Sequence, residues 1–335
     1  MKFSEFVGND RIIRYFQKAI SEDHLGHAYL LSGPEGIGKR TLSHLICKAL
    51  LCKNPTPDGP CDVCPSCHKF DSGNHSDFHS FAPEGLYFKI ELVRQIIHQA
   101  SLKPVESKWK TFVLENIDFM REEASNALLK VLEEPPGQTI FFLLAETPDV
   151  LLPTIRSRCQ YFPLQPADPE QIAKWLVKKM EYSKEEASHV APFSHGSLGR
   201  ALTLNADQYL TVRDKVLAIL RVAILPGSYY QLLDAIKAVT VERSEMAERL
   251  LILEELVRDL IVLKTSSDAH LIHADEREKL LQLSSAVGDS ALQKFYEELL
   301  EVRESVLKIN ANVSLALQGL FLPLRATRPS SPSNQ

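Results

Sequence analysis

The chain has 335 residues, 44% hydrophobic and 24% charged, which is the composition of an ordinary globular protein long enough for two or three domains. Its net charge of −5 excludes the global basic field that is typical of a dedicated nucleic-acid binder. There is no apolar run near the roughly 20 residues that cross a bilayer, and residues 1–9 lack the pattern of a secretion signal, so we expect a cytoplasmic protein without membrane contact.

The first part of the chain alternates between predicted helices and strands. An amphipathic helix around residues 12–20 precedes a short buried strand at 28–32, a glycine-rich turn and a second helix at 41–51. This order is typical of a parallel α/β unit. An insertion rich in Pro, Gly, Cys and His follows. Beyond it, further elements are predicted as a helix near 90–100, a strand at 111–114, a helix ended by Pro135 and Pro136, a strand at 140–144 and a strand ending at 161–162.

After Pro163 the predicted elements are all helical. We expect an α/β core over residues 1–165, a small helical domain over 166–205 and a larger helical domain over 206–325. The Pro/Ser-rich residues 326–335 predict a disordered tail. The sequence therefore predicts a parallel-sheet core followed by two all-α domains.

The glycine-rich turn matches the G-x-x-x-x-G-K pattern of a phosphate-binding loop. Gly33, Gly36 and Gly38 would let backbone N–H groups turn towards phosphate oxygens, and Lys39 would add a positive charge at the start of a helix. The strand before the loop and the helix after it provide the context that this motif requires.

Two departures from the motif concern the metal. Arg40 stands where a Ser or Thr hydroxyl would hold Mg²⁺, and Thr41 lies about 100° further round the helix. After the 111–114 strand, where an Asp and a water-activating Glu are expected, the chain has Glu115 and Asn116. Asn116 cannot accept a proton from water. The sequence predicts impaired hydrolysis and leaves binding of ATP and Mg²⁺ open.

Four cysteines lie within the insertion. Cys52, Cys61, Cys64 and Cys67 offer the four thiolates that a closed, structural zinc site requires, so we expect a zinc module at about residues 52–67. A redox pair, or His68 in place of one cysteine, are the alternatives. His75 and His79 are expected in a solvated loop, away from the metal.

Several longer motifs resemble the clamp-loader branch of the AAA+ ATPases. They follow one another along most of the chain, at His27–Leu30, Asn126–Pro136, Ile155–Cys159, Gly196–Leu198 and Asn310–Leu317. The resemblance implies a P-loop type AAA+ core, a helical lid over 166–205 and a collar domain for oligomerisation over 206–325. It also agrees with the zinc module, which this family commonly carries.

Within that branch, the departures distinguish two types of subunit. Arg40 and the Glu115–Asn116 pair resemble the delta-prime type more than the ATP-hydrolysing gamma/tau type, which remains the alternative. Gly199 stands where a nucleotide-sensing Arg is expected, although Arg200 follows it.

The resemblance also assigns a role to Arg158 of the Ser-Arg-Cys motif. It implies an arginine finger that acts in trans on the ATP of a neighbouring subunit. A surface Arg, or one paired to a structural carboxylate, is the other interpretation. Arg156 would point the same way if the segment is extended.

The partners that the resemblance implies are the gamma/tau and delta types of clamp-loader subunit, with the sliding clamp and primed DNA reached through the complex. A third hypothesis, a zinc-containing nucleic-acid binder with a vestigial nucleotide site, would require salt-sensitive DNA binding by the isolated chain.

Overall fold

The structure is a computed structural model that describes residues 1–83, 85, 87–240, 243–266, 271–308 and 311–326. The chain divides into two compact units, residues 1–204 and the residues from 205 onward. The segment predicted as a lid lies within the first unit, apart from residue 205. Its separation from the core stays a prediction.

The first unit contains a five-stranded parallel sheet, in agreement with the predicted α/β core. Its strands are β1 (Ala28–Ser32), β2 (Phe78–Phe81), β3 (Lys110–Leu114), β4 (Thr139–Ala145) and β5 (Gln160–Pro163). Their order across the sheet is β2-β3-β4-β1-β5, so β4 separates β1 from β3. Sequence analysis missed β2, which is a short and only partly buried strand at the end of the insertion.

Nine helices belong to the described part of this unit. They are α1 (Asp10–Ser21), α2 (Lys39–Leu51), α3 (Pro65–Asp71), α4 (Ile90–Ser101), α5 (Glu122–Glu133), α6 (Pro153–Arg156), α7 (Pro169–Lys179), α8 (Lys184–Phe193) and α9 (Leu198–Thr203). The alternation of side chains along each strand produces two hydrophobic layers. Leu30 lies in the layer that contains residues of α4 and α5, whereas Leu31 lies in the layer with α1 and α2.

The second unit is helical throughout its described residues. Its helices are α10 (Ala206–Ile224), α11 (Tyr229–Val239), α12 (Arg243–Thr265), α13 (Arg277–Ala286), α14 (Asp289–Lys308) and α15 (Val313–Ala326). The buried carboxylate of Asp259 accepts hydrogen bonds from the backbone N–H groups of Ile272 (3.1 Å) and His273 (2.8 Å), which holds these two residues against α12.

Two further predictions from the sequence concern the tail and membrane contact. The predicted tail lies outside the described residues except for Ala326, which is the last residue of α15. In the described part of the chain, no helix is both long and apolar enough to span a bilayer.

Candidate functional site

The phosphate-loop motif lies between β1 and α2, in the order that the sequence predicted. Gly33, Gly36 and Gly38 have φ angles of 146°, 73° and 105°, a region of backbone conformation that favours glycine. Because β1 is parallel to β3 and β4, the loop lies at the same edge of the sheet as the residues that follow those two strands. The fold therefore brings three chain segments together at this edge.

Lys39 is directed back onto the loop. Its Nζ donates hydrogen bonds to the carbonyl oxygens of Gly33 (2.5 Å) and Pro34 (3.0 Å), and the residue is 8% exposed. Burial lowers the pKa of the Lys39 ammonium, an effect that the charges of Glu146, Asp118 and Glu35 oppose. A phosphate bound here would have to take the place of the two loop carbonyls.

Arg40 and Glu115 form an ion pair across the predicted metal position. The distance between Arg40 Nε and Glu115 Oε1 is 3.1 Å, and the Ser80 hydroxyl donates to the same oxygen at 3.0 Å. The Glu115 side chain is 17% exposed and that of Arg40 is 67% exposed. The carboxylate that could have engaged Mg²⁺ is already neutralised by a guanidinium from the same chain.

Asn116 and Thr41 complete the set of residues that the sequence singled out here. Asn116 has a φ of 53°, a left-handed conformation that Asn tolerates, and it starts a short 3₁₀ turn. Both Asn116 and Thr41 line the same cavity as Lys39 and Glu115. The structure thus brings the candidate nucleotide residues together, but with an amide at the position where a catalytic carboxylate is expected.

Sequence reasoning missed two acidic residues of this site, Asp118 and Glu146. Glu146 follows β4, which separates the phosphate loop from Glu115, and burial raises the pKa of its carboxyl while Lys39 opposes that shift. Asp118 accepts hydrogen bonds from the backbone N–H groups of Glu146 (2.8 Å) and Thr147 (2.9 Å). An acidic residue two positions beyond the strand predicted at 140–144 is the signal that could have identified Glu146.

A cavity of about 430 Å³ opens over the phosphate loop. Its lining includes the loop together with Lys39, Arg40, Glu115 and Glu146. The lining also contains apolar side chains, among them Phe6, Val7, Trp175, Leu198 and Leu202. The size and the mixed lining are those of a small-molecule site.

The start of α9 packs directly on the phosphate loop. The backbone N–H of Gly199 donates to the Gly36 carbonyl (3.1 Å), and the Ser197 hydroxyl donates to the Glu35 carbonyl (3.3 Å). A Cβ atom at Gly199 would lie 2.8 Å from the Gly36 Cα. The glycine at the expected position of a nucleotide-sensing Arg is therefore required for this backbone contact.

Arg158 lies just beyond α6, where the sequence predicted an arginine finger. Its guanidinium forms an ion pair with Glu133 (2.5 Å) at the end of α5 and donates to the Thr154 carbonyl (3.0 Å). The side chain is 33% exposed. Within this chain Arg158 is thus paired to a carboxylate and remains partly open to solvent.

Arg156 has a different partner from Arg158. It forms an ion pair with Asp149 (2.9 Å). Arg156 is the last residue of the helix α6, and Arg158 lies in the turn that follows it. The condition of an extended segment, under which the two arginines would point the same way, is therefore not met.

The four predicted metal-binding cysteines lie together. Their sulfur atoms are all within 4.8 Å of one another, with 3.9 Å between Cys52 and Cys64 and 4.0 Å between Cys61 and Cys67. A tetrahedron with Zn–S bonds of about 2.3 Å has edges of about 3.8 Å, so the four sulfurs fit a zinc ion. Among the described residues, His68 is not part of this cluster.

The prediction that His75 and His79 lie in a solvated loop is wrong. His75 is buried, and its ring hydrogen-bonds the Ser66 hydroxyl (2.8 Å) and the Asp77 backbone N–H (3.1 Å). His79 belongs to β2, and its ring stacks on Phe112. The end of the insertion is part of the folded core and not a solvated loop, so both rings pack against other side chains.

Comparison with known proteins gives matches over both units. The family model described as "DNA polymerase III, delta subunit" matches residues 8–168, and the model for its C-terminal part matches residues 208–325. The chain is 29% identical over 314 residues to DNA polymerase III subunit delta′ of Bacillus subtilis strain 168, covering 93% of each chain. It is 27% identical over 317 residues to subunit delta′ of Escherichia coli K12, covering 92% of each.

A third relative is matched over less of its length. The chain is 30% identical over 233 residues to DNA polymerase III subunit tau of Escherichia coli K12, which covers 68% of this chain and 36% of that protein. Similarity to the delta′ subunits therefore extends through both units of the chain, whereas similarity to tau involves a smaller part of each protein.

Proposed function

The chain belongs to the DNA polymerase III delta-subunit family and is a clamp-loader subunit of the delta-prime type, and from that premise we propose that it does not hydrolyse ATP itself. Its role is to complete the ATP site of a neighbouring subunit while the sliding clamp is loaded onto primed DNA. The other subunits of that complex are of the gamma/tau and delta types.

The observation that carries this proposal is the ion pair between Arg40 and Glu115. Phosphoryl transfer in P-loop enzymes requires Mg²⁺ held by a hydroxyl and a carboxylate, together with a group that orients water. In this chain the hydroxyl position is an arginine, and that arginine neutralises the carboxylate at 3.1 Å. Asn116 cannot serve as a general base. Three separate requirements for hydrolysis are unmet at one site.

The intact part of the motif supports the alternative of a gamma/tau-type ATPase. Gly33 to Lys39 keep the glycines, the lysine and the strand-to-helix setting of a working phosphate loop. These features bind phosphate, but they do not replace the missing metal ligand or base. We therefore favour the non-hydrolysing role.

Arg158 is the residue proposed to act in trans. A guanidinium near a γ-phosphate stabilises the charge that develops as the phosphoryl group leaves. The partial exposure of Arg158 supports this role, since the side chain can reach outward once it leaves Glu133. On contact with the nucleotide of a neighbouring subunit, Arg158 would exchange the carboxylate of Glu133 for a phosphate group.

The remaining parts of the proposal concern zinc, DNA and location. The four clustered cysteines would hold a structural zinc ion that stabilises the insertion. With a net charge of −5, the chain would reach DNA through the assembled complex and not alone. The protein would work in the cytoplasm.

Steady-state ATP turnover tests the proposal. The purified chain with Mg²⁺ is compared with Lys39→Ala, and equal background rates are expected. In a complex reconstituted with its ATPase partner, Arg158→Ala should reduce turnover by about 10³-fold or more, the range known for arginine fingers. Clear Lys39-dependent turnover by the isolated chain would instead assign it to the gamma/tau type.

A further inference from the structure

We propose that the cavity over the phosphate loop binds a nucleoside triphosphate without Mg²⁺, with the Arg40 guanidinium as the cation in place of the metal. This inference rests on the proposed non-hydrolysing function and specifies the ligand of the same site. It follows from two features of the site: a phosphate seat that is still present, and two carboxylates, Glu115 and Asp118, that already have partners within the chain.

The phosphate seat consists of the loop and Lys39. Three glycines with positive φ angles allow the backbone to turn inward, and the Lys39 ammonium lies within the loop. The cavity above has about 430 Å³, within the range of sites for small ligands. The apolar part of its lining, which includes Trp175 and Leu198, provides contacts for a base and ribose. These features recognise a nucleotide independently of any metal.

The carboxylates around the seat are poorly available to Mg²⁺. This ion requires near-octahedral oxygen ligands and gives up its water reluctantly. Both carboxylate oxygens of Asp118 accept backbone N–H groups. Glu115 Oε1 accepts from Ser80 and contacts Arg40. Burial raises the pKa of Glu146, which weakens it as a metal ligand. A metal would have to displace partners that the chain itself supplies.

Arg40 is placed to do what the metal would do. It follows Lys39 directly and contacts Glu115 through Nε, so its two terminal nitrogens are available for further hydrogen bonds. With 67% of the side chain exposed, the guanidinium can shift towards phosphate at little cost. A guanidinium can bind two phosphate oxygens at once, and such charge-assisted hydrogen bonds are among the strongest in proteins.

The test measures binding of a fluorescent ATP analogue to the full chain, once with Mg²⁺ and once with EDTA. For the wild type, the two dissociation constants should agree within about twofold. Arg40→Thr should weaken binding in EDTA by about tenfold or more, as expected for loss of a charged hydrogen bond, and should make Mg²⁺ strengthen binding. Arg40→Gln should show the same loss in EDTA but no gain from Mg²⁺. Lys39→Ala should lose binding in both buffers.

The matched control is Arg11→Thr, which removes an exposed arginine on α1 and should bind as the wild type does. Three results would overturn the proposal: a wild type that binds about tenfold more tightly with Mg²⁺, an Arg40→Thr variant that behaves like the wild type, or no binding by the wild type. Absence of binding would leave the non-hydrolysing function standing. Mg²⁺-dependent turnover would refute both.

Discussion

Replacing Glu133 by Gln removes the carboxylate that holds Arg158 and leaves the size of the side chain nearly unchanged. The two side chains are 2.5 Å apart and are 47% and 33% exposed. An ion pair at this level of exposure contributes about 0–1 kcal/mol. We therefore expect the free energy of unfolding to fall by no more than about 1 kcal/mol.

The effect on ATP turnover by the neighbouring subunit follows from the same ion-pair energy of about 0–1 kcal/mol. If Glu133 competes with the partner's nucleotide for Arg158, its removal releases up to about 1 kcal/mol and raises turnover by as much as about fivefold. The assay is steady-state turnover of the reconstituted complex, with Glu134→Gln as the control, because Glu134 is the next residue and is also exposed. The double variant with Arg158→Ala should be as slow as Arg158→Ala alone.

The opposite result would refute this reasoning. If Glu133→Gln reduces turnover as strongly as Arg158→Ala does, the carboxylate positions the guanidinium for reaction and does not compete for it. If Arg158→Ala leaves turnover unchanged, Arg158 is not an arginine finger, and its pairing with Glu133 is structural.

Three further predictions concern the metal, the contact between α9 and the phosphate loop, and the pH dependence of stability. Cys64→Ser should remove most of the zinc measured by elemental analysis and lower the melting temperature, and wild-type protein without zinc would contradict the assignment. Gly199→Ala should reduce the free energy of unfolding by about 1–3 kcal/mol, because its Cβ would lie 2.8 Å from the Gly36 Cα, whereas Gly288→Ala, with no atom within 4 Å, should not; equal effects in urea denaturation would disprove the contact. Burial, followed by the charge of Arg40, lowers the pKa of His44 to about 4, so the unfolded chain takes up a proton first as the pH falls and stability should decrease between about pH 6.5 and 4. His44→Leu should reduce that slope in urea titrations at several pH values, and an unchanged slope would show that other groups cause it.

Features encoded in neighbouring residues could be predicted from the sequence. The strand, glycine loop and helix around Lys39 follow from local periodicity and from the conformational demands of glycine. The zinc cluster follows from the short spacing of Cys61, Cys64 and Cys67, which keeps their sulfur atoms within reach of one ion. Residue type alone also shows that position 40 lacks the expected hydroxyl and that position 116 lacks the expected carboxylate.

Features that depend on the order of strands in the sheet could not be predicted in this way. Arg40 and Glu115 are 75 residues apart, and they meet because β1 and β3 are parallel and end at the same edge. Glu146 enters the site because β4, a later strand, lies between those two.

The sequence by itself determined which chemical groups are present at the phosphate loop and which are missing, since these depend on residue type and local spacing. The tertiary structure alone decided which charged side chains pair with one another: Arg40 with Glu115, and Arg158 with Glu133. The physical reason is that charged side chains choose partners by distance and burial. Both are set by the packing of segments that are far apart in the chain.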